Sequence, residues 1–407
     1  MRVAHICFIF GVNNTGGAAI AATRLHNALL EAGEESYYIC HFSHEKGTNV
    51  YALPCGRFLR FFHKFLGKVT RFMWHFTSYG HSLETNILPL FGLKGTLRSI
   101  KPDVVHVHWL NRGVVSFSQL GNLGYPTVMH LHDLFMMNIL EPHPAKDRRY
   151  IEGLTEKNSQ WWERWLFNRK KNAVSKLRPL IIGPSEWICE CARNSIIGKG
   201  CQIQHVPNII DKTFYTGDIS FPEHKKFRIL FGANGGRKSS YKGFPDLVEA
   251  LKMLPDEVKQ NCELWIFGEK AADVETEGVK THFCGVIDKP EDLKKIYLAS
   301  DVFALASRLD NAPSTKFEAL LTGVPVVAFK RTGCAEEIVS GNNGVVADDG
   351  DIKGFADGLL WFYQKYHAGA YADLRLSILR SARVKFSRDL SIDQIKKSYT
   401  LAKVNHP

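Results

Sequence analysis

The chain has 407 residues, 45% hydrophobic and 23% charged, which fits a globular protein of about two domains and excludes a disordered or fibrous one. Its apolar runs fall short of the roughly 18 residues a transmembrane helix needs, and its nine cysteines, of which only Cys189 and Cys191 are close, suit free thiols in a reducing cytoplasm. The net charge of +11 calls for an anionic partner; without zinc-ligand spacing or an aromatic RNP-like strand, nucleic acid is set aside in favour of nucleotide diphosphates and lipid headgroups.

Residues 2–10 are apolar and run into a Gly/Asn turn with no small-residue cleavage pattern, so they are predicted to be a buried first strand and not a leader. Gly16-Gly17 turns the chain, and 18–32 has helical composition closed by Gly33. Strands are predicted at 35–42, 103–108, 126–132 and 180–183. The pattern then restarts. Strands at 228–232, 263–268, 282–285, 302–306 and 325–329 alternate with helices at 244–254, 290–299 and 314–321. This alternation predicts an α/β protein with two doubly wound parallel sheets, each flanked by helices. The hinge is placed at 206–211, giving domains 1–207 and 208–390, with a C-terminal helix in 391–407 packing back on the first.

Open α/β sheets bind ligands beyond the carboxyl ends of their strands, so functional residues are sought there. After the strand 302–306, Asp310 stands eight residues before Glu318, and Pro313-Ser314 opens the helix between them. A glutamate near that turn can accept ribose hydroxyls; the plainer reading is a loop acid and a solvated helix residue. After the strand 228–232, a Gly/Ser/Lys loop carries Arg237 and Lys242-Gly243 ahead of a helix, as a diphosphate site requires. The first strand-to-helix turn carries Gly16 and Gly17, which suit close backbone approach by an anion.

These residues resemble glycosyltransferase family 4, a retaining family with the GT-B fold, in which two Rossmann-like domains face a central cleft. The family's C-terminal motif is Glu-x7-Glu followed by Ala-x-x-x-Gly-x-Pro-Val. Here Glu318 matches the second Glu; Ala319, Gly323, Pro325 and Val326 match the run; and Asp310 replaces the first Glu, one methylene shorter. The family's Gly-Gly-x-x-Glu element reads Gly333-Cys334-Ala335-Glu336-Glu337. The resemblance implies that Arg237, Lys242 and Gly17 meet the donor phosphates, with Lys238 as a substitute for Arg237. It places Asn311, Ser314 and Glu318 at the donor sugar and ribose, and Gly268 and Val286 at the base. His132 is implied beside the donor sugar and the acceptor, with Gly16 and His108 on the acceptor side. Of the pairs His106/His108 and His130/His132, one member of each is expected to face the core. No metal or other cofactor is expected, because Asp349-Gly350-Asp351 reads as a surface turn.

The implied function is transfer of a sugar from a nucleotide-sugar to a hydroxyl of a glycan or lipid-linked acceptor in polysaccharide biosynthesis. A nucleotide-sugar 2-epimerase and a catalytically silent nucleotide-sugar-binding subunit stand as alternatives. Residues 57–76 repeat basic side chains (Arg57, Arg60, Lys64, Lys68, Arg71, His75) at helical steps among Phe, Leu, Met and Trp. That stripe suits either an anionic membrane surface, with the protein peripheral to it, or packing on the first domain. Trp161, Trp162 and Trp165 are expected to serve core or surface packing, with that same face or an acceptor groove as the alternatives.

Overall fold

The computed structural model describes residues 1–12, 16–53, 90–110, 115–139, 147–217, 219–232, 235, 237 and 241–406. The basic stripe at 57–76 and Lys238 lie outside the described residues. The chain divides into two compact units, one formed by Met1–Pro207 with Ile392–Pro407 and the other by Asn208–Ser391.

The first unit is built on a seven-stranded parallel sheet. Its spatial order is Val50–Ala52, Glu35–Cys40, Arg2–Ile6, Val104–Val107, Thr127–His130, Leu180–Gly183 and Ile203–His205. Val104–Val107, Thr127–His130 and Leu180–Gly183 are buried at every position, as expected of strands covered by helices on both faces. The helix Gly17–Glu31 follows the first strand and ends where Gly33, at φ 79°, lets Glu34 N–H reach back to Leu29 O at 2.9 Å. The C-terminal helix Arg388–Val404 is tied to this unit by Lys396–Glu34 at 2.7 Å and Lys403–Asp103 at 3.0 Å. Tyr399, fully buried, sits 2.8 Å from His106 Nδ1.

The second unit repeats the plan. Its order is Val274–Thr276, Val279–Gly285, Cys262–Phe267, Phe227–Gly232, Val302–Leu305, Val326–Phe329 and Gly344–Ala347, parallel except for the first, an antiparallel edge strand. Along Phe227–Gly232, Ile229 and Phe231 enter one hydrophobic cluster and Leu230 the other, so both faces are covered. Helices Phe244–Lys252 and Ile352–His367 pack on one face. Helix Ser314–Leu320 packs on the other.

In each sheet the strand order reverses beside the first strand of the unit. In the first unit the reversal lies between Arg2–Ile6 and Val104–Val107, and in the second between Phe227–Gly232 and Val302–Leu305. The loops leaving these strand pairs diverge and leave room for a ligand. Among the described residues, no helix is long and apolar enough to cross a membrane.

Candidate active site

The switch point of the second unit collects the acid and basic residues picked out in the sequence. Lys242 leaves the loop after Phe227–Gly232, Asp310 leaves the loop after Val302–Leu305, and Lys242 Nζ meets Asp310 Oδ2 at 2.5 Å. Burial alone would lower the Lys242 ammonium, but the Asp310 carboxylate outweighs it and holds the group above its ordinary value. The two loops are joined by Arg308 N–H donating to Tyr241 O at 2.7 Å. Gly243 has φ +71°, and a Cβ there would stand 1.8 Å from Ala306 O, so only glycine lets the lysine loop lie this close to the strand end. Asp246 braces the same loops, accepting from Arg308 Nε at 2.9 Å and Arg331 Nη1 at 3.0 Å.

Arg237 is held in the same way. Its Nη2 and Nε donate to Glu269 at 3.1 and 3.3 Å, its backbone N–H donates to Glu269 Oε2 at 3.1 Å, and its guanidinium lies 4.5 Å from the Phe283 ring centre. Glu269 follows the strand Cys262–Phe267, which neighbours Phe227–Gly232. Glu318 is 3% exposed, with the Tyr297 hydroxyl donating to Oε2 at 3.4 Å, which corrects the solvated-helix alternative: its turn of the helix faces inward. Asn311 is buried, and Ser314 is the first residue of the helix Ser314–Leu320. Gly268, at φ 92°, donates its N–H to Gly285 O at 2.8 Å, and Val286 next to it is 55% exposed.

Cys334, standing where the family motif has glycine, is fully buried, with Sγ 3.7 Å from Asp310 O; burial pushes its thiol up to about 12. The adjoining loop is anchored by Lys316, which is 1% exposed and donates to Gly333 O at 2.9 Å and Glu336 O at 2.7 Å. Burial brings the Lys316 ammonium down to about 8. The Asp349-Gly350-Asp351 turn caps the next helix, with Asp351 Oδ1 accepting from Gly354 N–H at 2.9 Å.

The switch point of the first unit is lined with histidine. His5 pairs in register with His106 on the neighbouring strand. Both members of His106/His108 turn the same way, and so do both members of His130/His132, with ring centroids 4.1 and 4.2 Å apart. This corrects the expectation that one of each pair faces the core alone: residues i and i+2 share a face of a strand. His5 Nδ1 lies 2.9 Å from His108 Nε2, and His108 Nδ1 lies 3.2 Å from His132 Nε2. His5, His106 and His108 are at most 1% exposed, while His132 is half-buried. Burial holds all four imidazoles well below their ordinary value, His132 at about 3. His132 also lines a small cavity with His108, Trp109, Leu110, Met129 and Met136.

Ring nitrogens of His5/His106/His108 and of His108/His130/His132 fall within 4.8 Å of one another, close enough for a metal ion. The short nitrogen–nitrogen hydrogen bonds already engage His108 on both sides, and both groups are all-histidine. Gly16 and Gly17 open the helix Gly17–Glu31, Gly16 O accepting from Ala19 and Ile20 N–H, and among the described residues beyond their chain neighbours nothing lies within 4 Å of a Cβ at either.

Sequence reasoning missed His5, Glu269, Asp246 and Tyr297. A signal existed for two of them. Glu269 is an acid directly after an apolar strand, and His5 interrupts an otherwise apolar one.

Comparison with known proteins decides the family. The model described as Glycosyltransferase Family 4 matches residues 15–214, and that described as Glycosyl transferases group 1 matches 221–375, so the two together reach across most of the chain. The chain belongs to glycosyltransferase family 4. Its fold is that of the GT-B enzymes. The sucrose-phosphate synthase of Thermosynechococcus elongatus superposes with a TM-score of 0.67 at 16% identity over 98% of both chains. Anabaena HepE, solved in complex with UDP-glucose, gives 0.61 at 17% identity over 98% of this family-4 chain and 99% of its own. Among curated relatives, the lipopolysaccharide core biosynthesis glycosyltransferase LpsE of Rhizobium meliloti is 31% identical over 130 residues, 30% of this chain and 36% of that protein. The chain spans about a third of the length of the first curated relatives it matches.

Proposed function

We propose that this family-4 chain is a retaining transferase that moves a sugar from a nucleoside-diphosphate sugar to a hydroxyl of a glycan or lipid-linked acceptor in polysaccharide assembly. The observation that carries this reading is the loop pair at the second switch point, where Lys242 and Arg237 stand beyond the strand ends on carboxylate partners. A diphosphate is the ligand able to take both cations from those carboxylates, since it brings more negative charge and more acceptor oxygens than either. HepE, solved with UDP-glucose, and LpsE, named for lipopolysaccharide core biosynthesis, support a nucleotide-sugar donor and a glycan acceptor.

In this reading Lys242, Arg237 and the Gly17 N–H meet the leaving diphosphate, so its charge is stabilised by the protein without a metal. Glu318, Asn311 and Ser314 hold ribose and sugar, and the backbone at Gly268 and Val286 holds the base. Asp310, released by Lys242, faces the sugar. His132 orients sugar or acceptor, with Gly16 and His108 on the acceptor side. The stripe at 57–76 would keep the protein at the cytoplasmic face of an anionic membrane, tested by flotation with acidic vesicles and its loss when the stripe is changed to Glu.

The test is a thermal-shift screen against UDP-, GDP-, ADP- and dTDP-sugars. A donor at about 100 times its Kd adds about 2.7 kcal/mol to the native state and raises the melting point by several degrees. A chain that none of the four stabilises, and that releases no nucleoside diphosphate with any of them, is not the transferase described.

A further inference from the structure

We propose that the chain's two departures from the family motifs, Asp310 for Glu and Cys334 for Gly, are one matched change, in which Cys334 and Thr332 are positioning residues that hold the shorter acid against Lys242. The two positions are 24 residues apart and follow different strands, Val302–Leu305 and Val326–Phe329, yet they touch. Cys334 Sγ lies 3.7 Å from Asp310 O and 4.0 Å from Ser307 O. Thr332 Oγ1 accepts from Asp310 N–H at 3.3 Å and donates to Asp310 O. The backbone of Asp310 is thus clasped by Thr332 and Cys334, while its carboxylate goes to Lys242 Nζ at 2.5 Å.

The clasp is held under strain. Thr332 is branched at Cβ and sits at φ 46°, in the left-handed region that such residues avoid. Strain of that kind persists where the surroundings over-determine it, and here the hydroxyl is committed to the Asp310 backbone.

Cys334 is fully buried, so its side chain fills space that a glycine would leave open. With glycine at 334 the Asp310 main chain would settle into the vacated space, and a carboxylate borne on one methylene would draw back from Lys242. The second methylene of a Glu restores the reach. The thiol against the main chain and the methylene missing from the acid therefore offset one another.

Lys242 reports where the carboxylate stands. Burial lowers its ammonium, and the Asp310 carboxylate more than reverses that. The thiol lends it no charge in mild alkali, because burial pushes Cys334 up to about 12. The placement of Asp310 against Lys242 can be tested without a ligand; its bearing on the donor sugar rests on the transferase reading.

The experiment is competitive acetylation of the full chain with acetic anhydride at about pH 9, reading the Lys242 rate by mass spectrometry against that of exposed lysines. An ammonium does not acetylate, so a Lys242 that loses its carboxylate reacts faster. Cys334→Gly should speed Lys242 labelling about threefold or more, and Cys334→Gly/Asp310→Glu should return it to near the wild-type rate. Asp310→Glu alone, with the thiol still in place, overfills the site and gains nothing over wild type. Cys334→Ser keeps a side chain of similar size and should label as wild type, which separates the spacing role from thiol chemistry. Thr332→Val, which removes the hydroxyl, should also speed labelling. With a nucleotide-sugar that is turned over, kcat should fall about tenfold or more in Cys334→Gly without a rise in KM, and recover in the double variant.

A Lys242 rate equal to wild type in a Cys334→Gly protein that melts cooperatively overturns the proposal. If that variant does not fold, Cys334→Ala, which removes only Sγ, carries the same test. A double variant that labels as fast as Cys334→Gly also overturns it, since the two departures would then be independent. If Asp310→Glu rescues Cys334→Gly but no nucleotide-sugar is turned over, the matched pair holds and the transferase reading is what fails.

Discussion

Mild acid should unfold the first unit selectively. His5, His26, His106 and His108 are at most 1% exposed, and burial lowers each imidazole below its ordinary value, His26 to about 4. In the unfolded chain the same groups titrate near 6.5, so below that pH the unfolded state binds protons that the folded state refuses. The stability these groups allow is full above about pH 6.5 and is lost as pH falls toward the folded values. Between pH 7 and pH 5.5 each histidine costs about 1.3 kcal/mol, and the four together about 5 kcal/mol. That approaches the 5–15 kcal/mol of a typical domain. The first unit's Glu34, Glu35, Asp103 and Asp147 are lowered by their partners, so they are still ionised in both states at pH 5.5 and add little. The second unit carries the opposite device. Burial raises the Asp301 carboxyl to about 7, so its folded form takes up a proton as pH falls and that unit gains. Hydrogen exchange read by mass spectrometry, corrected for the intrinsic rate, separates the two. Peptides covering Arg2–Ile6 and Val104–Val107 should lose several kcal/mol of protection at pH 5.5, while those covering Phe227–Gly232 keep theirs. A loss below about 1 kcal/mol in the first unit would mean that its histidines accept protons in place, and the neutral hydrogen-bonded line would be wrong.

Lys242→Ala should lower transfer by about a hundredfold or more, while leaving the melting point within a few degrees, since the Lys242–Asp310 pair is partly open to solvent. Asp310→Asn removes the competitor for Lys242; calorimetry should then find tighter nucleoside-diphosphate binding together with a lower kcat, and unchanged affinity would show that the pair does not gate the phosphates. Gly243→Ala puts a Cβ at 1.8 Å from Ala306 O on a left-handed residue, and should cost the second unit about 2 kcal/mol or more in urea unfolding. Lys316→Met leaves the Gly333 and Glu336 carbonyls without their donor; exchange in 331–338 should rise, and a melting point equal to wild type would refute the anchoring role.

Much of this fold was legible because its strands are apolar runs buried on both faces. Residues 228–232 and 302–306 announce themselves in that way, and the structure places the strands at Phe227–Gly232 and Val302–Leu305. The helix Trp161–Leu177 was hidden by its Arg and Lys content, although Gln160 and Glu163 form a capping box at its start. Trp162 there packs on the core and Trp165 lies under the Arg169 guanidinium at 4.8 Å, while Trp161 is 70% exposed. The histidine pairs were read against the two-residue period of a strand, which was the error. The ion pairs were out of reach for a different reason. Lys242 and Asp310 are 68 residues apart, Arg237 and Glu269 32, and such pairings follow from sheet order, which no local pattern carries.

That sheet order also changes what the charge of the chain means. A net +11 called for an anionic partner, yet the two cations proposed to meet phosphate are each held by a carboxylate, and Asp246 holds Arg308 and Arg331 beside them. Binding a diphosphate at such a site is an exchange of anions. The gain is the difference between a phosphate and a carboxylate on the same cation, so the net charge alone says little about affinity. On the transferase reading, Asp310 is released from Lys242 as the donor arrives, which would couple phosphate binding to the placing of an acid beside the sugar. The first unit does the reverse, collecting neutral, mutually hydrogen-bonded rings at its own switch point. On the transferase reading the labour divides accordingly: the second unit answers the charge of the leaving group, and the first addresses hydroxyl and ring oxygens, where an imidazolium or a carboxylate would bind water in their place.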